Sequence, residues 1–381
     1  MEKSANPFRY GGVARGAYFA DRREELAGLI ADVRGGQDVV VISPRRLGKT
    51  SLVDRAIEEL RRRRAKVAYV DLFAVQTLPE LAEALAKGIF DGLLSRRARL
   101  LERAQELASR LSLAPRITLG DDGRPRFEFL VYEREEDVLP VIDELLATPG
   151  RVAAESSAPV VLVLDEFQQI AEVGGAFPAR FRTVFQQQPE VAHVYLGSKR
   201  HLMTRLFMEK GEALYRSAKP LALGPIAPAE FGGFLRERFA TGGVVAPDEA
   251  LERILSLTGG LPYETQELCS FAWTRAVPSG LLDVEAIEQA LEDVLDSESA
   301  RYVTIWDELS SSQRKLLRAL ALEPGTVFAE AYRRRHRLGS ASTVQRALEA
   351  LDRRELVEPR VPDGGYLVSD LFLRLWLRRL G

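Results

Sequence analysis

The strongest chemical signal in the sequence is S-P-R-R-L-G-K-T-S, residues 43–51. It follows an apolar run at residues 38–43 and opens a stretch of helical periodicity. A strand, a short loop and a helix N-terminus in this order form a concave site for phosphate. In such a site Gly48 lets the backbone approach the phosphates, Lys49 contacts the β and γ oxygens, and Thr50 ligates Mg²⁺. The residues predicted to contact the nucleotide phosphates are Ser43, Pro44, Arg45, Arg46, Leu47, Gly48, Lys49, Thr50 and Ser51.

A second signal is V-V-L-V-L-D-E-F-Q, residues 160–168, in which a buried-strand pattern ends in two carboxylates. Parallel sheets bind ligands at the carboxyl ends of their strands, so both acids are placed for chemistry. We predict that Asp165 holds Mg²⁺ through its water shell and that Glu166 accepts a proton from, or orients, the attacking water. Many strands end in acids, and the preceding phosphate loop is what makes this interpretation specific. No guanine-reading N-K-x-D element is found, which favours adenine.

A third strand pattern, H-V-Y-L-G-S at residues 193–198, ends at Ser198. Its hydroxyl would face the γ-phosphate or the attacking water from a neighbouring strand, or it is an ordinary serine at a strand end; the sequence leaves both open. Three arginines follow, Arg200, Arg205 and Arg216. An arginine close to a γ-phosphate stabilises transition-state charge, although most arginines lie on solvated helix faces.

Between residues 19 and 226, short β-branched runs alternate with helical stretches, a pattern typical of a parallel sheet with crossover helices. The predicted strands are residues 38–43, 66–73, 160–165, 193–198 and 221–225. The stretch 93–148 reads as an insertion with an Arg-rich helix and an exposed loop or hairpin around residues 120–125. From 227 to 300 the periodicity is helical only.

Composition limits the classes of function. The 381 residues suggest two or three domains, and 53 basic against 55 acidic residues exclude a globally basic nucleic-acid coat. One cysteine, Cys269, excludes a disulfide framework and a cysteine-built zinc site, so Mg²⁺ carried in with ATP is the expected metal. The apolar run at 159–164 is far shorter than the ~20 residues that span a bilayer. With no secretory signal, we expect a cytoplasmic protein without a membrane partner.

These motifs resemble those of the AAA+-like P-loop ATPases of the archaeal-type ATPase family, within the larger STAND-related assemblage. The resemblance extends over nearly the whole chain. The matching segments are N-P-F at Asn6–Phe8, F-A-D-R-R-E-E-L at Phe19–Leu26, the phosphate loop, the Walker B form L-D-E-F-Q, L-Y-R-S-A-K-P-L-A-L-G-P-I at Leu214–Ile226 and G-G-L-P-Y at Gly259–Tyr263. Two departures from the family pattern are Ser43, where the strict loop has glycine, and L-Y-R, where the family usually reads L-Y-G-R.

The resemblance implies an α/β fold, a P-loop NTPase core of the AAA+-like type at residues 1–226, a helical lid at 227–300 and a winged helix-turn-helix at 301–381. It also implies hydrolysis of ATP to ADP and phosphate, with Mg²⁺ as cofactor.

The resemblance further assigns site residues beyond the phosphate loop. Asn6, Phe8 and Phe19 would lie beside the base, and Pro262 and Tyr263 would close over it. Arg216 would be an arginine sensor or finger, acting in its own chain or on a neighbouring subunit of a homo-oligomer. From the residues alone, Phe8 and Phe19 read equally well as core residues, and Pro262 as a proline that initiates a helix.

The C-terminal segment is typical of helices followed by a wing, with Ser310 or Ser311 capping the first helix, Ser340 capping the last, and a P-D-G-G turn between two short strands. Residues 311–360 contain eleven basic and six acidic residues, a net charge of +5. This balance suits duplex DNA bound through residues 311–368, with Gln345 or Arg346 at a base edge. Winged helices also dock proteins. A slow nucleotide-gated switch or a DNA- or protein-binding module therefore remains the alternative to an enzyme with steady turnover.

Overall fold

The computed structural model describes residues 5–20, 22–44, 46–94, 114–119, 125–130, 135–174, 176–360 and 364–380. It divides into two compact units, Val13–Pro225 and the described residues of Met1–Gly12 together with those of Ile226–Gly381. Arg45 and the predicted Arg-rich helix at 96–110 lie outside the described residues.

The unit Val13–Pro225 alternates strands and helices, as the sequence predicts. Its strands are β1 (Val39–Ile42), β2 (Lys66–Asp71), β3 (Ala114–Leu119), β4 (Pro125–Leu130), β5 (Val160–Asp165), β6 (Val191–Gly197) and β7 (Lys219–Ala222). Its helices are α1 (Arg23–Arg34), α2 (Lys49–Arg62), α3 (Leu78–Ile89), α4 (Glu135–Ala154), α5 (Gln169–Val173), α6 (Phe177–Phe185) and α7 (Arg200–Met208), with a 3-10 turn at Gly16–Tyr18 and a π-helical turn at Phe90–Leu94.

Five parallel strands of the described chain form one sheet in the order β2-β5-β6-β1-β7. Ile42, Asp165 and Gly197 end neighbouring strands of this sheet. Because the strands are parallel, these ends share one edge, which we call the carboxyl edge. This edge therefore brings together the loop that follows β1, the acids Asp165 and Glu166, and Ser198. We call the opposite edge of the sheet the amino edge.

Helices cover both faces of this sheet, so every residue of β5 is buried. Successive side chains of a strand point to opposite faces. Leu162 and Leu164 accordingly join one apolar cluster with Phe181, whereas Val161 and Val163 join the cluster on the other face. The sheet is therefore a rigid platform whose carboxyl edge is free to carry polar side chains.

The predicted strand 160–165 matches the structure, and the bounds of the other four predicted strands differ from it by up to three residues. The last strand of the sheet was predicted at 221–225 but spans Lys219–Ala222, and it includes Pro220. A proline lacks an N–H donor and is tolerated in edge strands, and β7 is the edge strand beside β1. The predicted insertion 93–148 ends inside α4, which continues through Pro149, and its predicted hairpin is the antiparallel pair β3–β4. The turn residues 120–124 lie outside the described part of the chain.

The second unit is mostly helical. Its helices are α8 (Pro228–Thr241), α9 (Asp248–Thr258), α10 (Pro262–Ala276), α11 (Val284–Asp307), α12 (Ser311–Leu322), α13 (Glu330–Arg335), α14 (Ala341–Arg353) and α15 (Leu371–Arg379), and its strands are β8 (Val357–Pro359) and β9 (Tyr366–Val368). Helices α12–α14 and the antiparallel pair β8–β9 form the predicted winged helix. None of the helices in the described ranges has both the length and the apolar character needed to cross a membrane.

Helix α11 runs without a break across the predicted boundary between lid and winged helix at residue 300. Its second half is tied to α15, since the Trp376 indole N–H donates to Ser299 Oγ at 3.3 Å. The Arg301 guanidinium and the Tyr302 hydroxyl bond to Asp370, which caps α15, at 3.2 and 3.3 Å. The lid and the winged helix therefore share one helix and one compact unit.

The winged helix confirms the predicted helix caps at Ser310 and Ser340. Ser310 and Ser340 occupy the N-caps of α12 and α14, and each accepts a hydrogen bond from the backbone N–H three residues on. Val344, Leu348 and Leu351 are all buried, as their spacing predicts. The remaining surface of α14 is left to face solvent.

Candidate active site at the carboxyl edge

The phosphate loop joins β1 to α2 and folds onto its own lysine. Gly48 caps α2 with a φ of +80°, in the left-handed region that glycine adopts without strain. Apart from its chain neighbours, no heavy atom of the described residues lies within 4 Å of where a Cβ on Gly48 would be, so the backbone there faces open space in the described part of the loop. The Lys49 ammonium donates to the Ser43 carbonyl at 3.0 Å and to the Pro44 carbonyl at 3.4 Å. A cationic group thus already lies across the concave face of the loop.

Ser43 replaces the glycine of the strict motif, and the structure shows how its side chain is accommodated. The residue is 1% exposed, and its hydroxyl donates to the Pro44 carbonyl at 3.0 Å. The Ser51 hydroxyl, in the first turn of α2, accepts a hydrogen bond from the Ala14 N–H at 2.9 Å. Both serines consequently support the loop through backbone groups.

A buried arginine that no sequence motif identifies holds the phosphate loop in place. Arg22 is 2% exposed. Its guanidinium donates to the Leu47 carbonyl at 2.9 Å, the Gly224 carbonyl at 2.7 Å and Glu25 Oε1 at 2.8 Å. The segment F-A-D-R-R-E-E-L contains this residue, but the sequence holds many arginines and gives no sign that this one is buried. Arg22 links the phosphate loop to the segment that follows β7.

Arg22→Met should lower the free energy of unfolding by about 1–3 kcal/mol, because the Leu47 carbonyl would stay buried without this donor, a loss that costs roughly that amount. Urea unfolding measures the difference. The matched control is Arg34→Met, on the exposed face of α1, which should change stability by less than about 0.5 kcal/mol. Equal unfolding midpoints for the two variants would contradict the bracing role.

The acid that ends β5 is held by two hydrogen bonds. Asp165 accepts the Glu166 N–H at Oδ1, 2.8 Å, and the Tyr69 hydroxyl at Oδ2, 2.5 Å. Burial raises the pKa of Asp165, while these two bonds act in the opposite direction. Burial and the nearby Asp165 charge raise the pKa of Tyr69, which keeps that hydroxyl a donor. Tyr69 lies on the neighbouring strand β2, and finding it requires the strand order, which no local motif supplies.

Glu166 and Ser198, predicted separately, are in direct contact. Glu166 has a φ of 52°, a left-handed conformation that costs a non-glycine residue of order 1–3 kcal/mol and is concentrated at functional sites. Its Oε2 accepts the Ser198 hydroxyl at 2.7 Å, the Ser198 N–H at 3.4 Å and the Gln168 amide at 2.5 Å. The serine that follows β6 therefore bonds to the glutamate that follows β5.

The side chains at this edge fit a magnesium–nucleotide complex. Mg²⁺ prefers hard oxygen ligands, and the edge offers the Asp165 carboxylate and the Thr50 hydroxyl at the start of α2. The loop N–H groups, the N-terminus of α2 and the Lys49 ammonium suit a polyphosphate. Glu166 belongs neither to the phosphate loop nor to these two metal ligands, so its carboxylate is left for a different role in the site.

Arg216 lies elsewhere in the same unit. It precedes β7 by three residues, and β7 begins opposite Val39 at the amino edge. Its backbone has a φ of 56° and its N–H donates to the Phe207 carbonyl at 3.0 Å, while the guanidinium lies 5.3 Å from the centre of the Tyr215 ring. The structure thus does not bring Arg216 to the carboxyl edge that holds the other catalytic candidates.

The N-terminal segment predicted to lie near the base packs within the second unit. Phe8 is 3% exposed, and its ring lies 4.6 Å from that of Phe239. The Asn6 amide donates to the Ser270 carbonyl at 3.0 Å. In its own unit Phe8 is a core residue, and Asn6 fixes the segment to α10.

The other predicted base-proximal residues divide between the units. Phe19 is partly buried against an apolar cluster of the first unit. Pro262 is the first residue of α10, directly after a Gly-Gly break, and the Tyr263 ring meets the Tyr10 ring edge-on at 6.0 Å. Their assignment to the base remains a prediction.

Two family models match the chain. That of an ATPase domain predominantly from Archaea matches residues 19–268, and that of a probable winged helix domain matches residues 300–379. None of the curated proteins matches the chain.

Solved structures match in fold. A Walker-type ATPase of Pyrococcus abyssi is 18% identical with a TM-score of 0.65, over 98% of this chain and 99% of that chain. The ORC1 protein of Aeropyrum pernix, solved in complex with DNA, is 14% identical with a TM-score of 0.51, over 98% and 97% of the two chains. The ORC2 protein of the same organism, solved as ADPNP–ADP complexes, is 16% identical with a TM-score of 0.52, over 98% of each chain.

These matches confirm the predicted fold class, a P-loop ATPase core with a parallel sheet, a helical lid and a C-terminal winged helix. They also confirm the resemblance drawn from the motifs. Since the first model spans more than half of the sequence, the chain belongs to the family of ATPase domains found predominantly in Archaea.

Proposed function

We propose that this protein binds ATP together with Mg²⁺ and hydrolyses it to ADP and phosphate. The observation that carries the proposal is the hydrogen-bonded group of Glu166 and Ser198, next to Asp165, on the same edge of the sheet as the phosphate loop. A phosphate cradle alone would support binding. A carboxylate held beside it, outside both the loop and the metal ligands, is the additional group that water attack requires.

The side chains divide the work as follows. The loop N–H groups and Lys49 bind and orient the β- and γ-phosphates, which requires the Lys49 ammonium to exchange its carbonyl partners for phosphate oxygens. Thr50 and Asp165 would hold Mg²⁺, which when bound neutralises charge on the phosphate oxygens. Glu166 Oε2 already accepts three donors, so Oε1 is the oxygen that takes the proton of the attacking water. Ser198 fixes the direction of that carboxylate.

Arg216 has no part in this proposal within one chain, because its segment lies at the amino edge. A contribution to hydrolysis would have to be made to the nucleotide of a neighbouring copy, and it stays a prediction.

Phosphate release from ATP, measured with Mg²⁺ and with an excess of chelator, tests the proposal. We expect multiple turnovers that stop when Mg²⁺ is removed. Tight ATP binding with no phosphate release would instead favour a nucleotide-gated switch.

A second candidate function, binding of duplex DNA, is favoured by the exposed face of α14. Ser342, Gln345 and Arg346 lie opposite the buried stripe, on a segment with a net charge of +5. The Gln345 amide donates to Glu349 Oε1 at 2.7 Å. To contact a base, Gln345 would have to exchange this carboxylate for a base edge. The ORC1 protein of Aeropyrum pernix, similar in fold, was solved in complex with DNA.

Fluorescence anisotropy of a labelled duplex should show an affinity that falls roughly 100-fold between about 50 and 200 mM salt, as expected for about four phosphate contacts. Arg346→Ala should weaken binding and reduce the salt slope by about one unit. Lys49→Ala, in the other unit, should bind the duplex as the unmodified protein does. Absence of DNA binding at low salt would leave protein docking as the role of the winged helix.

A further inference from the structure

Gln168 is a buried polar residue that the proposed reaction does not yet use. It follows Glu166 by two residues and is 1% exposed. It occupies the N-cap of α5, yet its side chain makes no capping hydrogen bond. Its amide donates to Glu166 Oε2 at 2.5 Å. The side chain is thus directed at the glutamate and away from the helix end it could have capped.

The orientation of this amide follows from its partner. A carboxylate can only accept hydrogen bonds, so the nitrogen of Gln168 must face Glu166 and the oxygen must point away. That oxygen, Oε1, is buried and accepts no hydrogen bond among the described residues. A buried acceptor without a donor lowers stability, and an apolar side chain of the same length would avoid the loss. The stability of the fold therefore does not explain why a glutamine occupies position 168.

The surroundings of Gln168 leave its amide little freedom to turn. A Cβ on Gly197 would lie 2.5 Å from Gln168 Oε1 and 2.4 Å from Met203 Sδ, so the end of β6 approaches the amide as closely as a glycine permits. Phe167, the preceding residue, is fully buried among aromatic rings. The amide is pinned by packing, and its bond to Glu166 is correspondingly fixed.

We propose that Gln168 is a positioning residue for the proposed hydrolysis: with Ser198 it holds Glu166 Oε2, so that Oε1 is presented to the attacking water. This inference rests on the proposed function and adds a residue to it. The left-handed backbone of Glu166 fixes the position of its Cβ but not the direction of its carboxylate. Two hydrogen-bond donors are therefore needed to fix that direction. Ser198 reaches it from β6 and Gln168 from its own loop, and together they fix the direction of the carboxylate.

The test is Gln168→Met, which keeps the length of the side chain and removes its donor. We expect kcat to fall at least tenfold while KM and the Kd for ATP stay within twofold, and the Tm to stay equal or rise. Gln168→Leu serves as a second donor-free variant if the methionine variant folds poorly. Gln169→Met is the matched control, because the Gln169 amide donates to the Phe73 carbonyl at 3.3 Å rather than to Glu166, and its kcat should not change.

A double-mutant cycle separates positioning from a general structural effect. In a Glu166→Gln background, single-turnover rates should show no further loss on Gln168→Met, because the proton acceptor is already gone. An equal loss in both backgrounds, or an unchanged kcat in the single variant, would overturn the inference. If Glu166→Gln stalls turnover but Gln168→Met does not, the inference alone fails. If the unmodified protein releases no phosphate, the proposed function fails first.

Discussion

Replacement of Lys49 by alanine is expected to weaken ATP binding by about 100-fold, corresponding to roughly 3 kcal/mol for loss of charge-assisted hydrogen bonds to the phosphates. The structure explains why the effect should be large. The Lys49 ammonium lies across the concave face of the loop, 3.0 Å from the Ser43 carbonyl, where a bound phosphate would meet it. Nucleotide affinity, measured by titration with a fluorescent ATP analogue and Mg²⁺, reports the change directly.

The control for this variant is Lys219→Ala. The Lys219 ammonium forms an ion pair with Asp32 at 2.8 Å, on the amino-edge side of β7. Its removal deletes the same charge from the same unit without touching the phosphate loop. Equal affinities for ATP in the two variants would show that Lys49 does not contact the nucleotide.

Glu166→Gln should leave ATP binding intact and lower turnover by about 10²- to 10⁴-fold, the range for loss of a general base. A glutamine has the shape of the glutamate, and its amide oxygen can still accept the hydrogen bonds of Ser198 and Gln168, but it cannot take a proton from water. Steady-state phosphate release measures the loss, and the Kd for ATP should stay within about twofold of the unmodified protein.

The matched control is Glu172→Gln, which removes a carboxylate that pairs with Lys199 on the surface, at 2.8 Å. Its turnover should be unchanged. Turnover by Glu166→Gln at the rate of this control would assign water activation to another group.

The sequence predicted the parts of the site that follow strands. The phosphate loop, Asp165 and Ser198 were located because each ends a buried strand, and parallel strands bring such ends together. The contacts that these residues make could not be predicted from the sequence. Tyr69 reaches Asp165 only because β2 lies next to β5, and Arg22 is identified only by its burial. Side-chain direction and strand order are properties of the folded chain, and a single sequence does not reveal them.

The position of Arg216 shows the same limit. The motif placed it just before the last strand of the sheet, correctly along the chain, but which edge it faces depends on the direction of that strand. The domain boundary predicted at residue 300 falls inside helix α11, and the match to the winged helix family model begins at that same residue. No glycine or proline occurs between Val284 and Asp307, so a single helix was readable there from the sequence.

Helix α11 has a mechanical consequence. At a rise of 1.5 Å per residue its 24 residues form a rod roughly 36 Å long, stiffened at its far half by the bonds of Ser299 and Arg301 to α15. A rigid rod of this length that pivots by about 10° at one end sweeps its other end through roughly 6 Å. A small tilt of the lid half of α11 would therefore displace its winged-helix end by a distance as large as a whole side chain.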